Sequence, residues 1–310
     1  MAVTFGNLVQ RVRQQLLGYT RDQASLSYLV QPMTTTDTTF MADPGTVTNV
    51  SQGIVEIDDE MLLVRSFDRA TGVVTLMSNA TVSRGIEGTT AATHSAGALI
   101  NSDPRFPRAR IKEAISDTIA ALYPDLWVFD QFEFPYVAAR FEYPVPVGVD
   151  NIYKVVANTV GPSGVWKPIT KWRFNTMASQ TPGQVKPTPT PTGKTLQLFD
   201  QVTPGRSVRV SYTRAPGILL NDNDDFAVTT GYPERYIDMI TYGACWRMLP
   251  SYEAGRLQQT SIEANERAPL VPAGSATGAS QYFLGLYTKR MNEERDRMFR
   301  LYENYQTFSS

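Results

Sequence analysis

Residues Gly53 to Asn101 constrain the fold most tightly. Ile54, Val55 and Ile57 run into Asp58-Asp59; Met61, Leu62, Leu63, Val64 and Phe67 follow. After Asp68-Arg69-Ala70-Thr71-Gly72, the residues Val73, Val74, Leu76 and Met77 return. Short apolar runs broken by Asp and Gly read as antiparallel hairpins, since each run is too short for a packed helix and each break supplies turn chemistry. The stretch then reads RGIEGTTAATHSAG from Arg84 to Gly97. It is too rich in Gly and Thr for a helix and lacks the alternation of a strand. The expectation is a loop packed across a small barrel, with Ala98, Leu99 and Ile100 as its closing strand.

Around this stretch the pattern has helical period. Phe5, Leu8, Val9, Val12 and Leu16 share one helical face, with Thr4 placed to cap the start and Gly18 to stop the end. Residues 20–52, rich in Thr, read as irregular strands and loops. Ile111, Ala114, Ile115, Thr118, Ile119 and Leu122 line a second helix that Pro124 ends. Tyr236, Ile237, Ile240, Ala244 and Met248 line a third, started by Pro233, whose small Gly243, Ala244 and Cys245 admit another helix at close range. Residues 258–267 add a further helical turn, and 268–280 read as a Pro, Gly, Ala and Ser loop. The last helix runs from about Gln281 to about Tyr302, with Glu293–Arg297 and Asp296–Arg300 as pairs four apart.

Between the second and third helices the period is two. Phe132, Phe134 and Tyr136, then Phe141, Tyr143 and Val145, and later Val208, Val210 and Tyr212 alternate with polar residues, which reads as a small sandwich. Ser179 to Thr192 carries Pro182, Pro187, Pro189 and Pro191 and reads as an extended segment able to reach a neighbouring chain. The resulting fold class is α+β: a helical bundle of about four helices with two inserted small antiparallel β modules. The boundaries are 1–20 for the N-terminal bundle helix, 21–101 for a β-barrel-like module and 102–130 for the second helix. Residues 131–216 form a β-sandwich-like module and 217–310 the C-terminal helices and tail.

No catalytic or metal chemistry stands out. His94 and Cys245 are the sole representatives of their types, which leaves no Cys/His metal spacing and no disulfide. His94 sits in a small-residue loop without a nucleophile elbow and reads as a structural or surface residue. Thr192-Gly193-Lys194-Thr195 lacks the earlier glycine and the following helix of a phosphate loop, so it reads as a turn into a strand. Asp222 to Asp225 departs from calcium-loop spacing at Phe226 and Ala227 and reads as a solvated acidic loop, its cation binding left open. Asp58, Asp59 and Glu60 read as a charged hairpin turn, because adjacent strand residues point to opposite faces. A net charge of −1 gives no global basic footprint for nucleic acid. The N-terminus, where Phe5, Leu8 and Val9 alternate with polar residues, gives no expectation of a signal peptide or a membrane span. No enzyme activity and no cofactor are expected.

The strand pair with its acidic turn, followed by the Arg84–Gly97 run, resembles a segment of head-to-tail adaptor (connector, or neck) proteins of long-tailed double-stranded DNA phages. Ala109 to Ile115 through Ala120 to Pro124 is similar to the helix that follows in such chains, and Thr229 to Tyr236 to the start of their third helix. The resemblance implies a structural virion protein at the head–tail junction, assembled in the host cytoplasm. It implies a homo-oligomeric, dodecameric ring, a portal partner above and a head-completion, stopper or tail terminator protein below, and no membrane. DNA would pass through a central channel without sequence-specific binding, which the near-neutral charge suits. Portal docking is expected at Tyr302, Tyr305 and Phe308, and subunit or neck contacts at Arg84, Glu87, Thr89 and His94. The alternative is a carbohydrate- or receptor-binding virion module with Trp166, Trp172 and Tyr212 clustered in a groove.

Overall fold

The structure is a computed structural model that describes residues 2–17, 25–46, 49–102, 104–138, 140–159, 164–176, 193–257 and 275–301. Helix α1 (Phe5–Leu17) opens the chain and buries Phe5, Leu8, Val9 and Val12. The Thr4 hydroxyl accepts from the Asn7 N–H at 3.3 Å, which fills one of the unpaired donors of the first turn. Strands β1 (Ser25–Tyr28), β2 (Thr39–Met41), β3 (Gly53–Ile57), β4 (Glu60–Phe67) and β5 (Val73–Leu76) follow, then the one-turn helix α2 (Ala80–Ser83) and β6 (Leu99–Ser102). These strands form one antiparallel sheet in the order β1-β6-β3-β4-β5-β2. The sheet curls into a half-barrel, and its edges are joined where Val30 N–H donates to Met41 O at 2.8 Å and Asp43 N–H to Tyr28 O at 2.8 Å. Twelve buried apolar residues, among them Leu29, Val55, Ile57, Leu62, Val74 and Ile100, fill it.

Helix α3 (Arg108–Ala121) leads to β7 (Val128–Pro135), β8 (Glu142–Pro144), β9 (Asn151–Asn158), β10 (Trp166–Pro168), β11 (Trp172–Asn175), β12 (Thr195–Leu198) and β13 (Ser207–Arg214). Two antiparallel sheets, β10-β9-β13-β7 and β11-β12-β8, face each other over a core that includes Tyr143, Val155, Leu196, Leu198, Val208 and Val210. Gly193-Lys194 leads into β12, as a turn reading requires. The Pro-Thr run from Ser179 to Thr192 lies outside the described residues.

Helix α4 (Phe226–Thr230), capped by the Asp225 carboxylate accepting from Val228 N–H, is followed by a 3-10 turn at Glu234–Tyr236. Helices α5 (Ile237–Leu257) and α6 (Ser275–Leu301) complete the chain. The third core joins α1, α3, α5 and α6 through residues such as Leu8, Ile115, Tyr236, Ile240, Ala244 and Tyr287. At its centre Gly243 is buried so tightly that an added Cβ would sit 2.3 Å from the Thr118 methyl and 3.1 Å from the Tyr287 ring. The small-residue reading of this helix is therefore realised by two neighbours at once.

Two expectations require correction. The chain is not a helical bundle bearing small β inserts. Among the described residues it has six helices and three antiparallel sheets, and each β part owns a core. The physical reason is that alternating apolar positions recur over enough strands to bury against one another, while α2 and α4 are single turns held by their Asn79 and Asp225 caps. The last helix also starts at Ser275, before the expected Gln281. Its small residues are helical because they fit closely on α5: Ala276 and Ser280 are buried, and the Ser280 hydroxyl donates to Trp246 O at 2.9 Å. Residues 258–267 lie outside the described residues.

Candidate functional site: a buried ion-pair centre under the 84–98 loop

The β3–β4 turn distributes three acids to two sides. Asp58, in the left-handed region at φ 53°, and Glu60 both reach His94, while Asp59 points to helix α3. Asp58 and Asp59 form the turn itself, so strand alternation does not govern them: the left-handed Asp58 turns its carboxylate to the same side as Glu60, the first residue of β4. His94 Nε2 is 2.8 Å from Glu60 Oε2, and its Nδ1 is 2.8 Å from Asp58 Oδ2. With a carboxylate oxygen at each ring nitrogen, both nitrogens must carry protons to donate, so the ring is an imidazolium.

Arg84 completes the centre. Its Nε donates to Glu60 Oε1 at 2.7 Å and one terminal nitrogen to Oε2 at 2.8 Å, a two-pronged pairing. The remaining N–H groups donate to the carbonyls of Thr34, Asp37 and Ala92. Glu60 also accepts from the main-chain N–H of Gly85 at 3.0 Å and of Ala92 at 2.9 Å. Arg84, Glu60 and His94 are all buried. The loop from Arg84 to Ala98 has no regular structure of its own beyond single bridges, and this centre gives it one path. Gly85, at φ 60°, is required there, because a Cβ would fall 2.7 Å from the Ala91 nitrogen.

Charge follows geometry. Burial pushes the Glu60 carboxyl up, but Arg84, His94 and the Ala92 N–H outweigh it and hold the group down at about 2. Burial likewise pushes His94 down, and Asp58 and Glu60 outweigh it and raise the ring to about 9. The Glu60 contribution to stability is therefore present above its ordinary 4.5 and is lost as pH falls toward about 2. The His94 contribution is fully present below 6.5 and is lost as pH rises through about 9. The urea midpoint of the wild-type chain is expected to fall between pH 6.5 and 9.5 by more than that of the His94→Gln variant. Parallel curves for the two chains would refute the charged assignment.

The other side of the turn ties the half-barrel to the helices. Arg108 Nε donates to Asp59 Oδ1 at 2.8 Å, its Nη2 to Asp222 Oδ2, and its main-chain N–H to Glu56. Lys112 bridges Asp59 and Asp222 Oδ1, the latter at 2.7 Å. Glu56, buried, also accepts from Asn101 Nδ2 at 3.2 Å and faces Arg13 at 3.9 Å. Its pKa is raised, because burial outweighs these partners. Burial also raises Asp222, but Lys112 and Arg108 prevail and lower it. The acidic run is thus used within the chain: Asp222 binds these cations, Asp224 accepts from the Leu220 and Asn221 N–H groups, and Asp225 caps α4. Among the described residues no group of three or more His, Cys, Asp or Glu could hold a metal ion.

Of the four residues expected at subunit or neck contacts, Arg84 and His94 turn inward and Glu87 lies exposed at the loop tip. Thr89 is half-buried, its hydroxyl accepting from Met61 N–H at 3.0 Å. Tyr302, Tyr305 and Phe308 lie outside the described residues. One residue escaped the sequence reading. Glu294 is buried on α6 and meets Arg235 at 2.7 Å, Arg297 at 3.2 Å and Arg290 at 3.7 Å, in place of the expected Glu293–Arg297 and Asp296–Arg300 pairs. The signal was its position in the stripe Tyr287, Met291, Glu294, Met298, where an acid interrupts an apolar heptad pattern.

The model of the SU10 adaptor protein family matches residues 89–302, more than half of the chain. The chain belongs to the SU10 adaptor protein family. It is a phage head-to-tail adaptor, and its role is structural. No curated protein matches the sequence. The family match spans β6, both halves of the sandwich and the helical core except α1, and it begins inside the loop at Thr89. The adaptor's half-barrel up to Gly88, including Glu60 and Arg84, lies outside it. No helix among the described residues of the adaptor is long and apolar enough to cross a membrane.

Proposed function

We propose that the adaptor assembles as a dodecameric ring between the portal and the lower neck or tail, with a channel through which DNA passes. Family membership carries this reading. The portal lies above, and a head-completion, stopper or tail terminator protein lies below. The five segments 1–20, 21–101, 102–130, 131–216 and 217–310 divide the work: the helices build the ring wall, and the β parts reach neighbours. The 84–98 loop contacts a neighbouring subunit or the next neck protein through Glu87 and Thr89, while Arg84 and His94 hold its path from inside.

The C-terminal segment docks on the portal. Along α6 the side chains of Tyr282, Leu284, Phe299 and Leu301 are exposed, although Tyr287, Glu294 and Met298 are buried in the helical core. Tyr302, Tyr305 and Phe308 follow directly, and aromatic anchors of this kind are enriched at interfaces. A chain truncated after Glu303 keeps all of α6, Ser275–Leu301. It is expected to fold, with an unchanged circular dichroism spectrum, and to lose most of its binding to portal rings in a pull-down. Undiminished binding would place docking elsewhere. The carbohydrate-binding alternative gains no support: the groove that Trp172 lines includes neither Trp166 nor Tyr212, which is in the sandwich core.

A further inference from the structure

The sandwich carries a largely apolar groove of about 330 Å³ lined by Tyr153, Val155, Pro168, Ile169, Thr170 and Trp172, with the exposed Lys154 beside them. Its walls are fixed before any ligand arrives. The Tyr153 ring stands edge-on to Phe129 with centroids 5.5 Å apart. The turn before Trp172 is held by Asp200, which accepts from the N–H groups of Thr170 at 3.0 Å and Lys171 at 3.1 Å. Ile169 N–H donates to Val155 O at 2.9 Å, tying the two walls together. Grooves lined by aromatic rings and proline, with a rim donor for carbonyl groups, suit a left-handed extended chain rich in proline. Such a chain has few N–H groups to satisfy and loses little entropy on docking.

We propose that this groove binds the run Pro187-Thr188-Pro189-Thr190-Pro191 of a second copy of the adaptor, which makes it a subunit–subunit contact. This rests on the ring reading above. The run Pro187 to Pro191 carries no charge, as an apolar groove requires. The register of β11 and β12 argues for a second copy. Trp172 pairs with Leu198 and Asn175 with Thr195, so the connection that holds the run leaves the hairpin at the end away from Trp172. The connection is also far longer than the two to five residues that join most hairpins. A proline-rich chain is stiff over several residues, at about 3.1 Å per residue, and so favours reaching outward over folding back onto its own hairpin.

The test uses the full chain with residues 177–192 replaced by Asn-Gly, which leaves the groove without its own run. A synthetic peptide of residues 179–192 is titrated against it by isothermal calorimetry. Binding is expected, weakened at least tenfold when Pro187, Pro189 and Pro191 of the peptide are alanine, and lost in the Trp172→Ala chain. The alanine peptide keeps the test valid if Trp172→Ala fails to fold. Equal binding of the two peptides, or no binding, overturns the proposal. Two wild-type-length chains of different tag size, one Thr190→Cys and one Thr170→Cys, are then mixed and oxidised. A disulfide between the two chains is expected; a bond that forms only within a chain carrying both substitutions overturns the second-copy assignment. Portal pull-down of the same chains reports on the adaptor reading separately.

Discussion

Glu60→Gln is expected to destabilise the half-barrel by about 3–5 kcal/mol, the usual cost of removing one partner of a buried charge pair. The carboxylate serves Arg84 through two oxygens, His94 through one, and two main-chain N–H groups of the 84–98 loop. An amide of the same shape offers one acceptor oxygen and points an NH₂ at groups that are themselves donors. Arg84 then remains buried without a counter-charge, and the imidazolium keeps Asp58 alone. Urea denaturation followed by a probe within residues 25–102 reads the loss directly. Adding Arg84→Met to the Glu60→Gln variant removes the stranded guanidinium and should recover part of it, as expected of contacting residues. A loss under about 1 kcal/mol would mean that water reaches the site and that the centre adds little.

Gly243→Ala is the second large effect. Overpacking a core costs about 1–3 kcal/mol, and two rigid neighbours place this site at the upper end. The added methyl would lie 2.3 Å from Thr118 Cγ2 on α3 and 3.1 Å from the Tyr287 ring on α6, so relief on one side worsens the other. Thermal melting should show a fall of several degrees, at roughly 2–4 °C per kcal/mol for a chain of this order of size. Thr118→Ser offers a rescue. It deletes the clashing methyl but keeps the hydroxyl that donates to Ala114 O at 2.6 Å and accepts from Arg247 Nε at 3.1 Å. Failure of Thr118→Ser to raise the melting point of the Gly243→Ala chain would refute this account of the packing.

Local periodicity made much of this fold legible. The faces of α1 and α3, the hairpins of the half-barrel and the alternation of the sandwich could be read directly, since each depends on residues a few positions apart. The rank of the parts could not. Whether a β segment is an insert or owns a core depends on how many strands meet, and β1 meets β6 across more than seventy residues of sequence. The start of α6 was hidden for a similar reason: Ala276 and Ser280 have a small-residue pattern that reads as loop until α5 is seen beside them. The ion-pair centre was half visible. Arg84 and His94 were singled out, but as surface contacts, because nothing near them in sequence announces Glu60 as their partner. Glu294 was legible in principle, as an acid inside an apolar stripe. Catalytic signals were absent from the sequence, and it was the family match over residues 89–302 that fixed the structural role.

The three apolar cores are separate, and the half-barrel meets α3 and the Asp222 loop through Arg108, Lys112, Asp59, Asp222 and Glu56. Asp59 and Asp222 are half-exposed, so their pairs answer to ionic strength, whereas the buried Glu56 and the apolar cores do so far less. The screening length shrinks from about 10 Å at 0.1 M salt to about 3 Å at 1 M. Concentrated salt is therefore expected to weaken this joint before it weakens any of the three cores. In a virion, the same joint would let the half-barrel follow a partner that shifts, using counter-ions as the lubricant and leaving the hydrophobic interiors untouched.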